Sequence, residues 1–201
     1  MCAVIDRAYS RINLNVMRII SGQFRSRRLK GTPPAGLRPT SDKLRETLFN
    51  ILGPSVDGSG FLDACAGMGG VGIEAISRGA HFVHFVDSSR KACTMIRENI
   101  ASLGVREGFR LLEMDFQKAC RGFERDGAAF DIVFLDPPYD REDLYTMALE
   151  AFGTRPLLEE EGILVMEHSK RYEPPEEAGF LRRYRILTQG DSCLSFYRKD
   201  A

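Results

Sequence analysis

Beyond Gly60 the chain alternates between short apolar runs and longer stretches with helical periodicity. The runs are FLDAC (61–65), HFVHFVD (81–87), FRLLEMD (109–115), FDIVFLD (130–136) and GILVMEH (162–168). The helix-length stretches between them span 70–79, 88–103, 116–125 and 142–153. Near-continuous hydrophobic strands separated by helices predict an α/β fold, a mainly parallel sheet with helices on both faces. The ending differs. RRYRILTQGDSCLSFYRK holds two strand-like runs around the turn signal QGDS, which predicts a C-terminal antiparallel β-hairpin and a total of seven strands.

Ahead of this rhythm, TSDKLRETLFNIL predicts a helix capped by Thr40, Ser41 or Asp42, with Leu44, Leu48, Ile51 and Leu52 on one face and Gly53-Pro54 as its stop. TPPAGLRP before it is a turn-rich linker. From Met17, MRIISGQFRSRRLKG alternates loosely around glycines 22 and 31, and suits either a short hairpin or an arm that orders only on binding. Residues 1–16 are expected to be a disordered extension, 17–53 a basic arm and helix, and 54–201 the main domain.

Charge changes the picture only through its distribution. Lys+Arg and Asp+Glu number 28 each. Yet Arg18, Arg25, Arg27, Arg28, Lys30, Arg38, Lys43 and Arg45 all precede Gly53, where Asp42 and Glu46 are the only acids from Met17 onward. A basic arm on a neutral protein fits a polyanion held by one face, and equally a solubilising tail. Cys2, Cys65, Cys93, Cys120 and Cys193 are odd in number with no C-x-x-C pair, so no disulfide framework or zinc site is expected, and a reducing cytoplasm is the simplest home. No apolar run approaches the ~18 residues of a membrane span. The opening residues lack a signal-peptide core.

Ligands of such sheets sit at the carboxyl ends of the strands, and the residues found there carry chemistry. The first strand exits into DACAGMGGVGIEA, where Gly67, Gly69 and Gly72 allow a tight turn and close ligand approach. Their spacing also satisfies G-x-G-x-x-G, so a dinucleotide site is a rival. Asp87, ending the second strand, can accept from ribose hydroxyls, which NAD and S-adenosylmethionine both offer; a helix cap is its bland alternative. Asp115, ending the third, can accept from an adenine amino group while Phe116 faces the ring, with helix capping again the competing role.

The fourth strand ends in Asp136-Pro137-Pro138-Tyr139. Hydride transfer has no need of this sequence. Methyl transfer to a ring-attached amine does, because that nitrogen's lone pair is delocalised and has to be localised and aimed. The Asp136 side chain and the Pro137 carbonyl are acceptors stiffened by proline, and Tyr139 offers a stacking face worth roughly 1–3 kcal/mol. An ordinary Pro-Pro strand stop fits locally, without explaining its position. Glu167 and His168 have no assigned role; a lone histidine at a strand end is ordinarily structural.

With these residues placed, the chain resembles a Rossmann-like class I S-adenosylmethionine-dependent methyltransferase of the amino-methylating kind. MRIISGQFRSRRLKG, GLRPTSDKLRETLFNIL, LDACAGMGGVGIEAISRGA and FLDPPYD, in that order, resemble the bacterial 16S rRNA guanine-N2 methyltransferases of the RsmD family, from Met17 almost to the C-terminus. The resemblance implies methyl transfer to the 2-amino group of a guanine in small-subunit rRNA, position 966 in the usual rRNA numbering, within an assembling 30S particle. It assigns Asp63, Gly67 and Gly69 to the cofactor loop, Asp87 to the ribose, Asp115 to the adenine, and Asp136, Pro137, Pro138 and Tyr139 to the target amine. Arg25, Arg27, Arg28, Lys30, Arg38, Thr40 and Arg45 are expected to meet RNA or close over the cofactor. A monomer without metal or membrane attachment is expected. Two departures stand out: the family's start aligns with Met17, and Met68 occupies a position where serine or threonine is common.

The same residues leave rivals in view. An adenine-N6 methyltransferase would use the same clamp, but no separate target-recognition domain is visible. An NAD(P)-dependent oxidoreductase leaves Asp-Pro-Pro-Tyr unused, and a non-catalytic RNA-binding module wastes the cofactor loop.

Overall fold

The computed structural model describes residues 17–31 and 41–200. The extension 1–16, the linker TPPAGLRP, Arg38 and Thr40 lie outside the described residues. The elements in order are α1 (Asp42–Leu52), β1 (Gly60–Ala64), α2 (Gly70–Ser77), β2 (Phe82–Asp87), α3 (Arg90–Ser102), β3 (Phe109–Glu113) and α4 (Phe116–Arg125). They continue with β4 (Phe130–Leu135), α5 (Glu142–Thr154), β5 (Leu158–Ser169), β6 (Glu177–Ala178), β7 (Leu181–Gln189) and β8 (Ser192–Lys199).

The strands form one sheet in the order β3-β2-β1-β4-β5-β8-β7-β6. The first five pair in parallel, and β8 joins β5 antiparallel. This is the α/β architecture expected, with one difference: the sheet has eight strands among the described residues, not seven. The extra strand is the two-residue β6, too short to show a hydrophobic pattern, which pairs with Leu181 and Arg182 at the start of β7. Strand order reverses between β1 and β4, which opens a crevice at their carboxyl ends.

Alternate side chains of the core strands face opposite layers. Phe61, Phe85, Phe134 and Val165 pack with α1, α2 and α3 residues such as Phe49, Ile73 and Ile96. Leu62, Val86, Leu135 and Met166 pack with Phe116 and Phe123 of α4 and Tyr145 and Phe152 of α5. Helices start where side chains satisfy their free amides. Ser41 Oγ accepts from Leu44 N at 3.1 Å, and Ser89 Oγ from Ala92 N at 3.3 Å.

The Met17 segment is a small hairpin, closed by an Arg18–Arg28 bridge and by Ile19 N donating to Arg27 O at 2.9 Å. It is not an arm awaiting a partner: Met17, Ile19 and Leu29 are buried in the same core as the sheet. Glu74 of α2 holds it there. This fully buried carboxylate accepts from Ile20 N at 2.8 Å, Ser21 N at 2.9 Å and Arg78 Nε at 2.8 Å.

Arg45 corrects an expectation. Assigned to RNA or cofactor closure, it is fully buried, donating to Asp42 Oδ1 at 3.0 Å and to the Arg18 carbonyl, 4.0 Å from Glu74. Burial pulls its guanidinium below the usual value, against the opposing effect of Asp42 and Glu74. A cation spent on this internal network does not meet RNA.

Candidate active site

The site is built from the loops that leave β1 to β4. Gly67, at φ 55, turns the chain after β1 so that its amide donates to Asp87 Oδ2 at 2.8 Å. Asp87 Oδ1 accepts from Ser89 N at 2.7 Å, so this carboxylate at the end of β2 pins both flanking loops. Burial raises its pKa, against the lowering effect of those two amides. A carboxylate offers about four acceptor sites, which leaves about two for a ligand.

Asp63 takes a different place from the one expected. It is buried inside β1, accepts from Gly72 N at 2.7 Å, and does not line the cavity described next. Burial pushes its carboxyl up to about 8, the Gly72 amide lowers it, and Asp87 adds to the rise. Its work is to seat the start of α2. Gly72 itself answers to packing: a Cβ there would run into the Phe85 ring. Gly69, at φ 77, precedes the first turn of α2 against Ile96 and also stays off the cavity wall. The Met68 side chain reaches towards Gly31 and does not line the cavity.

A cavity of about 240 Å³ opens where these loops meet, and Gly67, Asp87, Asp115, Phe116, Asp136 and Pro138 all contribute to its wall. Six of the residues singled out from sequence are thus brought together by four different strands. Asp115 caps α4 through Oδ1 (2.8 Å from Lys118 N) and also lines the cavity. Seven other residues complete the wall, and three of them bear on its chemistry. Cys65 lines the cavity at φ 65, a left-handed conformation uncommon for a side-chain-bearing residue, and burial holds its thiol well above the usual range. Ser88 adds a hydroxyl-bearing residue. Arg141, just after the clamp, joins the wall while its guanidinium holds Asp143 at 2.8 and 2.7 Å. Only its adjacency to Asp-Pro-Pro-Tyr-Asp offered a signal.

The clamp stretch touches two cavities. Asp136 and Pro138 face the first; Tyr139 lines a neighbouring one of about 580 Å³ with Tyr145, Arg171 and Tyr172. Pro137 is buried and Pro138 exposed. Tyr139 is 41% exposed, and its hydroxyl shares a 2.8 Å hydrogen bond with Ser192 Oγ at the start of β8. That bond orients the ring from the C-terminal hairpin. His168 is structural: Nε2 bonds Ser195 Oγ at 2.8 Å, and the ring packs edge-on to Tyr145 and Tyr172. Glu167 is buried beside it, its carbonyl accepting from the Tyr145 hydroxyl at 3.0 Å.

Arg25, Arg27, Arg28 and Lys30 are exposed on the N-terminal hairpin, outside both cavities. Arg27 donates to Ser102 O at 3.1 Å, and Lys30 is fixed through its backbone to Asn99 (N to Oδ1, 2.7 Å).

The cavity fits the adenosine half of S-adenosylmethionine. Asp87 offers free acceptor sites to ribose hydroxyls, Phe116 an apolar face to a ring, and Asp115 an acceptor to an amino group. The volume lies slightly below the ~300–1,000 Å³ of small-molecule sites, as suits part of a ligand. No helix among the described residues is long and apolar enough to cross a membrane.

Comparison with known proteins agrees with this geometry. The profile of the family described as conserved hypothetical protein 95 matches residues 17–198. Escherichia coli ribosomal RNA small subunit methyltransferase D is 30% identical over 185 residues, covering 92% of this chain and 91% of the relative. Bacillus subtilis YlbH, described as a putative rRNA methyltransferase, is 37% identical over 183 residues, covering 91% and 99%. The solved structure of Escherichia coli yhhF, described as a putative methyltransferase, superimposes with a TM-score of 0.78 at 27% identity, covering 92% of this chain and 98% of that one. The chain belongs to the conserved hypothetical protein 95 family, the RsmD group of class I S-adenosylmethionine-dependent methyltransferases.

Proposed function

We propose that the protein transfers a methyl group from S-adenosylmethionine to the exocyclic N2 of a guanine in 16S rRNA, guanine 966, within an assembling 30S particle. Family membership supports a methyltransferase acting on rRNA. The observation that carries the amine chemistry is the Asp136–Tyr139 stretch, which faces the cofactor cavity on one side and a second cavity on the other.

The cofactor supplies an electrophilic methyl on a sulfonium centre. The guanine amine is a poor nucleophile because its lone pair is shared with the ring. The Asp136 carboxylate and the Pro137 carbonyl accept its two N–H groups, which turns the lone pair out of conjugation and towards the methyl. Tyr139 holds the ring by stacking, and Ser192 holds Tyr139. As the N–C bond forms, the S–C bond breaks, and the methylated nitrogen releases a proton to solvent. No strong base is required. Proline rigidity keeps the acceptors in place before the substrate arrives, which is where the rate advantage lies.

An adenine-N6 methyltransferase would use the same clamp, and the choice of guanine rests on the family. An oxidoreductase would leave the clamp idle, and the family has no place for one. Labelled S-adenosylmethionine offered with 30S subunits lacking the modification, naked 16S rRNA and duplex DNA separates these. Label is expected in the 30S subunit. Label only in DNA, or in none, would overturn the proposal.

A further inference from the structure

The sheet's far edge has a surface that the methyl-transfer site leaves unexplained. Between Arg183 and Arg185 the β7–β8 register shifts, and Tyr184 sits at the irregularity, 46% exposed. The Arg198 guanidinium of β8 lies 4.9 Å from the centre of the Tyr184 ring. Ile186 is 50% exposed two residues on, and Arg185 is exposed between them. Neighbouring cations are spent on carboxylates: Arg183 approaches Glu176 at 3.6 Å and Lys199 approaches Glu160 at 3.5 Å. Among the described residues, Arg185 and Arg198 have no carboxylate within ion-pairing distance.

Charges on an edge strand ordinarily serve to block pairing with another chain. That purpose does not call for an exposed tyrosine with an arginine laid over it. An aromatic face flanked by unneutralised guanidinium groups matches a nucleic-acid strand, where bases stack on rings and phosphates meet arginine. The hairpin that carries this surface also reaches the active site at its turn end. β7 delivers Gln189 to Thr47 of α1 at 3.2 Å, and β8 delivers Ser192 to Tyr139 at 2.8 Å. At a strand rise of about 3.4 Å per residue, Arg185 lies about 14 Å along β7 from Gln189.

We propose that Tyr184, Arg185 and Arg198 form an accessory RNA-contact surface that holds the substrate strand beyond the target nucleotide. This rests on the rRNA methyltransferase reading and extends it: the clamp selects the amine, and the hairpin edge anchors the RNA around it. A second copy of the chain or a protein partner could also cover an exposed tyrosine and arginines; the excess positive charge favours RNA.

The test uses the full chain, with 30S subunits lacking the modification as substrate, and compares wild type, Arg185→Glu/Arg198→Glu, Tyr184→Ala and Tyr184→Phe. The charge reversals are expected to raise KM for the subunit with kcat at saturation nearly unchanged. They should also reduce the slope of log affinity against log salt by about 0.9 for each phosphate no longer neutralised. Tyr184→Ala is expected to weaken RNA affinity roughly 5- to 160-fold, the range for removing one ring from a base stack, and Tyr184→Phe to restore it. Affinity for S-adenosylmethionine should stay constant in all variants. Unchanged KM and salt slope in the charge-reversed protein would overturn the proposal. So would a loss of dimer mass by light scattering with KM intact, which would assign the surface to self-association. Failure of wild type to methylate rRNA at all would instead overturn the reading on which this one rests.

Discussion

At the residue scale the account turns on a division of labour between two carboxylates. In the proposed mechanism Asp136 meets the reacting amine and Asp87 the ribose, while Asp87 also pins Gly67 and Ser89. Asp136→Ala is expected to lower single-turnover methyl transfer by at least roughly 100- to 1,000-fold, the cost of losing one preorganised transition-state partner. Calorimetric affinity for S-adenosylmethionine should change by no more than about twofold. Near-normal turnover would remove the amine-clamp argument. Asp87→Ala should do the reverse, weakening cofactor binding about 10- to 100-fold, as expected for hydrogen bonds to a charged group, with a smaller effect on transfer at saturation. Residues at strand ends were legible because strand limits follow from the apolar runs. Cys65 was not, since its left-handed backbone is imposed by the turn and has no sequence mark in a non-glycine residue.

At the element scale, the N-terminal hairpin and α1 join α2 through one buried carboxylate. Glu74→Gln keeps the volume but takes away the negative charge beside Arg45 and Arg78, and breaking a buried ionic network typically costs ~3–5 kcal/mol. Urea unfolding is expected to show a loss of that order, with amide exchange rising first at Ile20 and Ser21. Packing of β2 against α4 gives a pH prediction. His84 lies edge-on to Phe123 and Phe130, and burial, with Arg110 adding to it, lowers its pKa to about 4. A histidine depressed in the folded state contributes stability that is full above about 6.5 and lost progressively as pH falls towards 4. Asp63, raised to about 8, gains a proton more readily when folded and works in the opposite sense over that window. The comparison that isolates the histidine is therefore a difference. Between pH 7 and 4.5, thermal unfolding of His84→Phe should improve relative to wild type by roughly 1–2 kcal/mol, a figure reduced for the solvent screening of a half-buried ring. A constant gap would show that His84 does not titrate with folding. Helix and strand periodicity made most elements visible in advance. β6 escaped because two residues have no period, and its pairing is a consequence of where β7 lies.

At the scale of the whole molecule, sequence alone revealed the parallel sheet, the C-terminal hairpin and the crevice at the strand ends, because each follows from a repeating pattern or a strand terminus. The fate of individual charges was less visible. Arg45 stands in a basic run, yet it is the helical face towards α2 that decides its burial. Arg25, Arg27 and Arg28 remain exposed on the hairpin, so their joint reversal to glutamate is expected to flatten the salt dependence of rRNA binding without altering cofactor affinity. An unchanged slope in a binding titration would assign them to solubility.

The central claim concerns one nitrogen atom, and it can be read directly. Deficient 30S subunits would be incubated with S-adenosylmethionine and either wild-type or Asp136→Ala protein, and the 16S rRNA digested to nucleosides for mass spectrometry. The account predicts N2-methylguanosine with the wild type and almost none with the variant. N6-methyladenosine in its place, or equal N2-methylguanosine from both proteins, would contradict it.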